Sequence, residues 1–165
     1  SALTDFSSAT STLIAIAATV LGIGIGTGGF GLTRRGVEPP APSARKLVKA
    51  LTGVNRVRVR SGGSCHRDVQ WERTLAEETD PAKIRSLIQA IRIDATKAGS
   101  HCMCCGNPSI EFYRGEEMIA TMSIHHGKRL RWLEGWPSDG TMTAESTAAL
   151  SAWLVAHGVK SPDGE

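Results

Sequence analysis

The stretch Ile110–Leu133, IEFYRGEEMIATMSIHHGKRLRWL, carries the pattern that decides the fold. It divides into three runs of strand-like composition, and Gly115 and Gly127 mark the turns between them. The runs predict three antiparallel strands, at Ile110–Tyr113, Met118–Ile124 and Arg129–Leu133. Apolar and polar residues alternate along the middle strand, whose predicted core face consists of Met118, Ala120, Met122 and Ile124. The sequence therefore predicts a meander with one buried face.

Helix signals lie on both sides of this meander. Upstream, Asp80 is a good N-cap and Pro81 suits the first helical position. Apolar residues with helical spacing follow them. Downstream, a helix is predicted over 143–157, with Gly158 as its C-terminal stop.

The first part of the folded region adds a helix and strands. A short helix over 44–52 precedes a strand over 54–60 with strict alternation, and a second short strand is predicted through Val69 and Trp71. The resulting order is helix, strands, helix, meander, helix. It predicts a small soluble α+β domain over 44–160, with an antiparallel sheet and helices packed on one face.

The N-terminal part of the chain has a different character. No Asp, Glu, Lys or Arg occurs from Phe6 to Thr33. At about 1.5 Å per residue, a helix over 13–33 would reach across the ~30 Å hydrocarbon core of a bilayer. Glycines four residues apart, such as Gly24 and Gly28, let two membrane helices approach closely. The segment is therefore predicted to be a single transmembrane helix that also binds a protein partner or a second copy of the chain.

Three alternatives for this segment stay open. The spacing Gly24-x-Gly26-x-x-Gly29 matches a dinucleotide-binding loop, but the residues after it read as a linker where a Rossmann unit needs a helix. A cleaved signal peptide needs a basic start, which the flexible lead-in at 1–12 lacks. The third alternative is a hydrophobic segment that is buried in protein or lies at the membrane interface.

Charge around the segment predicts its orientation. A Pro-rich linker over 34–43 follows it, and a short frayed tail over 161–165 ends the chain. The basic residues near the segment all lie on its C-terminal side, at Arg34, Arg35, Arg45, Lys46 and Lys49. The positive-inside rule then predicts a single-pass membrane protein whose soluble domain is cytoplasmic. That compartment is reducing, so the cysteines are expected to be thiols or metal ligands.

The candidate site is the cluster His101–Pro108, HCMCCGNP, which holds three of the four cysteines. Cys102-x-x-Cys105 followed by Gly106 has the spacing of half a zinc knuckle, in which two sulfurs lie about 2.3 Å from one ion. A structural zinc needs four ligands. The further candidates come from the same cluster and from two other loops: Cys104, Cys65, His66, His125 and His126. The sequence predicts that these loops converge on a zinc site.

Two other interpretations of the cluster stay open, a reactive or redox thiol and chemically inert buried cysteines. Separately, a solvated basic sheet face, or a surface for an acidic partner or anionic lipid headgroups, is predicted from Arg56, Arg58 and Arg60 with Lys128, Arg129 and Arg131. The net charge of +3 is too mild, and the aromatic content of 5% too low, to favour nucleic acid.

Three functional hypotheses follow. The leading one is a membrane-anchored binding or sensing module without assigned catalysis, carrying a structural Cys/His zinc site. The second is a thiol-dependent enzyme or redox protein that uses the Cys102–Cys105 cluster with a histidine from 125–126. The third is an accessory subunit of a membrane complex, associating through the glycine-rich helix.

Overall fold

A computed structural model describes residues 41–65 and 71–160. Several predictions fall on residues outside these ranges: the lead-in 1–12, the transmembrane helix 13–33, the linker 34–43 up to residue 40, His66, the part of the second predicted strand at Val69, and the tail 161–165. Within the described ranges, no helix has the length and hydrophobicity needed to span a bilayer. The membrane anchor therefore stays a prediction from sequence.

Within residues 41–65 and 71–160, six strands form one antiparallel sheet. They are β1 (Arg56–Arg60), β2 (Thr74–Glu78), β3 (Ser109–Arg114), β4 (Glu117–His125), β5 (Arg129–Arg131) and β6 (Gly140–Thr141). Their order across the sheet is β2-β1-β3-β4-β5-β6, and each neighbouring pair is antiparallel. The predicted meander is confirmed as β3, β4 and β5, and β3 lies next to β1 inside the sheet.

In the described part of the chain, three helices complete the α+β domain: α1 (Ala44–Ala50), α2 (Pro81–Ala90) and α3 (Ala144–Ala156). Each begins at a side chain that caps free backbone amides, because the first turn of a helix leaves its N–H groups unpaired. The caps are Ser43, Asp80 and Thr143, which accept hydrogen bonds from the amides of Lys46, Ala82 and Ser146, among others. The predicted helix start at Asp80 is thereby confirmed, and the helix predicted over 44–52 begins at Ala44 as expected.

One face of the sheet and the apolar sides of the helices form a single core. Alternate residues of the strands contribute to it, including Val57, Phe112 and Met122, each completely buried. The helices cover them with residues such as Leu47 of α1 and Leu150 of α3. The strand alternation read from the sequence therefore identifies the inner face correctly.

Met118 is an exception to the predicted core face, since it is 43% exposed. The reason is a register shift in the pairing of β3 with β4: Phe112 pairs with Ala120, but Tyr113 pairs with Met118. Ile119 is thus an extra residue in β4, and a bulge of this kind reverses the alternation beyond it. Met118 consequently lies opposite Tyr113 on the other face of the sheet.

Two strands differ from the sequence-based prediction. Trp71, expected in a strand, lies in a turn and is 77% exposed, and β2 begins only at Thr74. The short strand β6 is not predicted from the sequence, because its two residues, Gly140 and Thr141, offer no periodicity to detect.

Candidate metal centre

The second face of the sheet is polar but largely buried, and the candidate site is part of it. Because side chains alternate along each strand, the residues between the core positions face this side. Its most deeply buried members are Arg60, Ser109, Glu111, Ser123 and His125, each 2% exposed or less. Polar groups removed from water must be paired, so contacts across this face are expected to be specific.

The arginines of β1 are paired with carboxylates. Arg58 and Arg60 donate to the two oxygens of Glu111, with Nε–O distances of 2.8 and 2.7 Å, and the Tyr113 hydroxyl donates at 2.6 Å. Burial alone would raise the pKa of Glu111, but the hydrogen bonds from Tyr113 and the two arginines outweigh it and lower that pKa. Arg60 also forms an ion pair with Glu72 at 2.9 Å. The solvated basic face expected from the sequence is therefore, at Arg58 and Arg60, a charge-paired and mostly covered network.

A second buried ion pair holds the cysteine loop. Arg131 of β5 donates from Nε and Nη2 to both oxygens of Asp139, at 2.6 and 2.7 Å. Its Nη1 donates to the carbonyl of Cys104 at 2.9 Å and its Nη2 to the carbonyl of Cys102 at 2.5 Å. Asp139 also accepts the Cys102 amide at 3.0 Å. The backbone on both sides of Met103 is thus fixed to the sheet by one arginine and one aspartate.

This pairing keeps Asp139 ionised. Its burial alone would raise the pKa, but the Arg131 guanidinium and the Cys102 amide outweigh that effect and hold the pKa below its ordinary value. Arg131 and Asp139 together are named the loop clamp below.

The clamp brings two sulfurs to the histidines at the end of β4. Cys102 and Cys104 are joined by a disulfide. The expectation from the sequence that the cysteines are thiols or metal ligands is therefore wrong for this pair in the structure, because the loop holds their Cα atoms 5.3 Å apart, close enough for the bond to form. The Cys104 Sγ lies 3.0 Å from Nδ1 of His125, and donor atoms of Cys102, Cys104 and His125 all lie within 4.8 Å of one another. The exposed His126 adds an Nε2 atom at 3.3 Å from the Cys102 Sγ and 3.6 Å from the Cys104 Sγ.

His125 is completely buried, and its ring is held on both sides. Its Nε2 lies 2.9 Å from the Ser123 hydroxyl, which lies 2.7 Å from the Ser64 hydroxyl. Desolvation, and next to it the positive charge of Arg131, lower the pKa of His125 to about 4. The imidazole is therefore neutral at pH 7, and its Nδ1 faces the sulfur.

The turn between β4 and β5 positions His126. Its φ is +48° and that of Gly127 is +65°, and the Lys128 amide donates to the carbonyl of His125 at 3.2 Å. Positive φ at both central residues defines a type I′ turn, whose twist matches the twist of the strands it joins. Asparagine or aspartate followed by glycine is the usual choice there. The histidine at this position is therefore a candidate functional residue.

The other predicted ligands lie around this cluster, and His66 is outside the described ranges. Cys65 is half-buried; its sulfur accepts from Arg131 Nη1 at 2.9 Å and lies 3.7 Å from the Cys104 carbonyl oxygen. Cys105 lies outside the three-residue group that could hold a metal, and its carbonyl accepts the Ser64 amide at 3.2 Å. The pair placed against His125 is thus Cys102 and Cys104, whereas the knuckle spacing had singled out Cys102 and Cys105.

Sequence reasoning missed three residues that shape the site: Ser123, Arg131 and Asp139. Ser123 had a usable signal, because two-residue alternation puts it on the same face as His125. Arg131 and Asp139 had none, since their roles depend on the cysteine loop folding across β5. No known protein-family model, curated protein or solved structure matches this chain.

Proposed function

We propose that this protein is a binding or sensing module that takes up Zn²⁺ through Cys102, Cys104 and His125, with His126 as fourth ligand. The observation that carries the proposal is the placement of two sulfurs and a buried imidazole nitrogen within 4.8 Å of one another. Two cysteines and two histidines are a common donor set of tetrahedral zinc sites. Zn²⁺ requires the reduced thiolates, because a sulfur in a disulfide carries no negative charge to offer.

The surroundings of His125 support its role as a ligand. Metal-binding histidines usually donate their second ring N–H to a neighbouring acceptor, which fixes the tautomer. Here the Ser123 hydroxyl is 2.9 Å from Nε2 and can accept that hydrogen. Nδ1 then presents its lone pair toward the Cys104 sulfur, where an ion bound to that sulfur would lie. With a pKa of about 4, the ring need not lose a proton before it binds metal.

The same property argues against His125 as the base of a thiol enzyme. A general base works best with a pKa near the operating pH. With a pKa of about 4 in the disulfide state, His125 is mostly unprotonated at pH 7. With the disulfide present His125 is thus a poor proton acceptor, and metal binding has the more direct geometric support.

The cellular setting rests on the sequence alone. The uncharged segment 13–33 would anchor the domain in a membrane, and the basic residues after it would keep the domain in the cytoplasm. Reducing conditions there would maintain the thiols that a zinc site requires.

Metal titration of the reduced chain tests the proposal. We expect one Zn²⁺ per chain, and replacement by Co²⁺ should give thiolate-to-metal absorption bands. Cys104→Ser should abolish both signals, because it removes the sulfur nearest to His125. His126→Asn should weaken binding more than tenfold while preserving the turn, since asparagine tolerates positive φ.

Cys65→Ser is the matched control, because it removes a thiol that the structure places beside Arg131 and outside the metal-binding group. Its zinc affinity should equal that of the unmodified chain. Equal zinc affinity in the Cys104→Ser variant, or no zinc uptake by the reduced parent, would refute the proposed function.

A further inference from the structure

The two sulfurs assigned to the metal are joined to each other in the structure. A sulfur cannot serve in both arrangements at once, because forming the disulfide consumes the two negative charges that bind Zn²⁺. The cluster therefore has two mutually exclusive states: a dithiolate that binds metal, and a disulfide that does not.

The loop clamp makes both states accessible to one backbone. It holds the Cα atoms of Cys102 and Cys104 5.3 Å apart, a separation at which cysteines readily form a disulfide. Two sulfurs on one tetrahedral zinc ion lie about 3.8 Å apart, given Zn–S distances of about 2.3 Å. Rotation of the two side chains covers this difference, so Arg131 and Asp139 can hold the loop unchanged in either state.

The surroundings of the sulfurs leave them open to a small reagent. Met103, between the two cysteines, is 99% exposed, and both cysteines are only partly buried. His126 is exposed as well. His125, by contrast, is completely buried and keeps its contact with Ser123 with the disulfide present. The accessible cysteines are thus the residues that change between the two states, while the buried His125 stays fixed in the sheet.

We infer that the Cys102–Cys104 pair is a redox switch for the metal site, an inference that rests on the proposed function. The oxidant is a low-molecular-weight disulfide. One protein thiolate attacks it, forming a mixed disulfide and expelling one small thiolate. The second protein thiolate then attacks the mixed sulfur of the first cysteine, closing the Cys102–Cys104 bond and expelling the other small thiolate.

The step balances in atoms, electrons and charge. Two electrons pass from the two protein thiolates to the small disulfide, which leaves as two thiolates. Zn²⁺ is released with its charge unchanged, because only the imidazoles of His125 and His126 remain to bind it. Thiol reductants reverse the reaction and restore the metal-binding pair. The protein would then report the thiol–disulfide state of its compartment as occupancy of the metal site.

The experiment uses the full chain, reduced and loaded with Zn²⁺, then treated with oxidised glutathione. Released zinc is measured with a chromophoric chelator, and disulfides are mapped by mass spectrometry after alkylation. We expect one Zn²⁺ released per Cys102–Cys104 disulfide formed, and renewed zinc binding after treatment with a reductant. Cys65→Ser should behave like the parent, because its thiol lies outside the switching pair.

The possible failures are distinguishable. If the reduced chain binds Zn²⁺ and keeps it after the Cys102–Cys104 disulfide has formed, the switch is refuted and the metal site stands. The same holds if release follows a disulfide that involves Cys65 or Cys105. If the reduced chain binds no Zn²⁺ at all, the proposed function and the switch fail together.

Discussion

At the scale of single residues, Gly106 decides whether His125 can occupy its buried position. Its φ is +73°, and a Cβ atom built there would lie 2.7 Å from Nε2 of His125 and 2.7 Å from the carbonyl oxygen of Ile124. Both distances are shorter than real Cβ contacts. In the sequence, Gly106 stood out only as the residue that follows the Cys102-x-x-Cys105 spacing. Only the folded structure shows that the backbone at Gly106 packs against the His125 ring.

Gly106→Ala is therefore expected to destabilise the protein through two separate effects. Positive φ costs an L-residue about 1–2 kcal/mol, and the clash with a buried ring and backbone adds roughly 1–3 kcal/mol. Gly115→Ala is the matched control, because Gly115 also has positive φ, at +60°, but has open space around its Cβ position. Denaturant unfolding should show a larger loss of unfolding free energy for Gly106→Ala than for Gly115→Ala. Equal losses would show that the residues around Gly106 accommodate the added methyl group without an energetic penalty.

At the scale of secondary-structure elements, Glu78 at the end of β2 connects two helices. One carboxylate oxygen accepts the amides of Thr79 and Asp80, at 2.9 and 2.8 Å, just before α2. The other lies 2.9 Å from Nε2 of His157, the C-cap of α3. The hydrogen bond with His157, and next the Asp80 amide, lower the pKa of Glu78 to about 2. The caps on either side were visible in the sequence, but their connection through Glu78 was not.

This pKa predicts a loss of stability in acid. The folded-state pKa lies below the ordinary value of 4.5, so the unfolded chain binds the proton first as the pH falls. The contribution of Glu78 is complete above about pH 4.5 and is lost as the pH falls toward 2. We expect Glu78→Gln to destabilise the protein at pH 7 and to reduce the slope of unfolding free energy against pH in this window.

Glu77→Gln provides the comparison, because Glu77 is the neighbouring residue on the same strand and is exposed. Chemical denaturation at pH 7 and at several values between 4.5 and 2 measures both variants. A slope in Glu78→Gln identical to that of Glu77→Gln would show that the contacts of Glu78 do not matter.

At the scale of the whole molecule, the sheet separates two kinds of packing. The helices cover one face with an apolar core, while the other face carries buried ion pairs under the loops that include Ser64 and Cys104. Apolar burial tolerates small adjustments in volume. A buried ion pair does not tolerate the loss of one partner, because the other is left charged and unpaired in a low-dielectric environment.

Asp139→Asn is accordingly expected to lower the free energy of unfolding by about 3–5 kcal/mol, since it leaves Arg131 without its counter-charge. Glu116→Gln removes the acid of the exposed pair with Arg56, whose Glu116 side chain is fully exposed, and should cost under about 1 kcal/mol. Thermal and denaturant unfolding of both variants measure the difference. Similar costs for the two pairs would contradict a buried, clamped cysteine loop.

The sequence by itself determined the α+β class, two of the helix starts, the three strands of the meander and the loops from which a metal site would come. These features depend on periodicity, capping and turn chemistry, which act over a few neighbouring residues. Only the tertiary structure decided that Cys104 lies against His125, that Glu111 pairs with Arg58 and Arg60, and that Arg131 and Asp139 hold the cysteine loop. Each of these depends on the register of strands and the path of loops that are distant in the chain, and no local pattern encodes such distances.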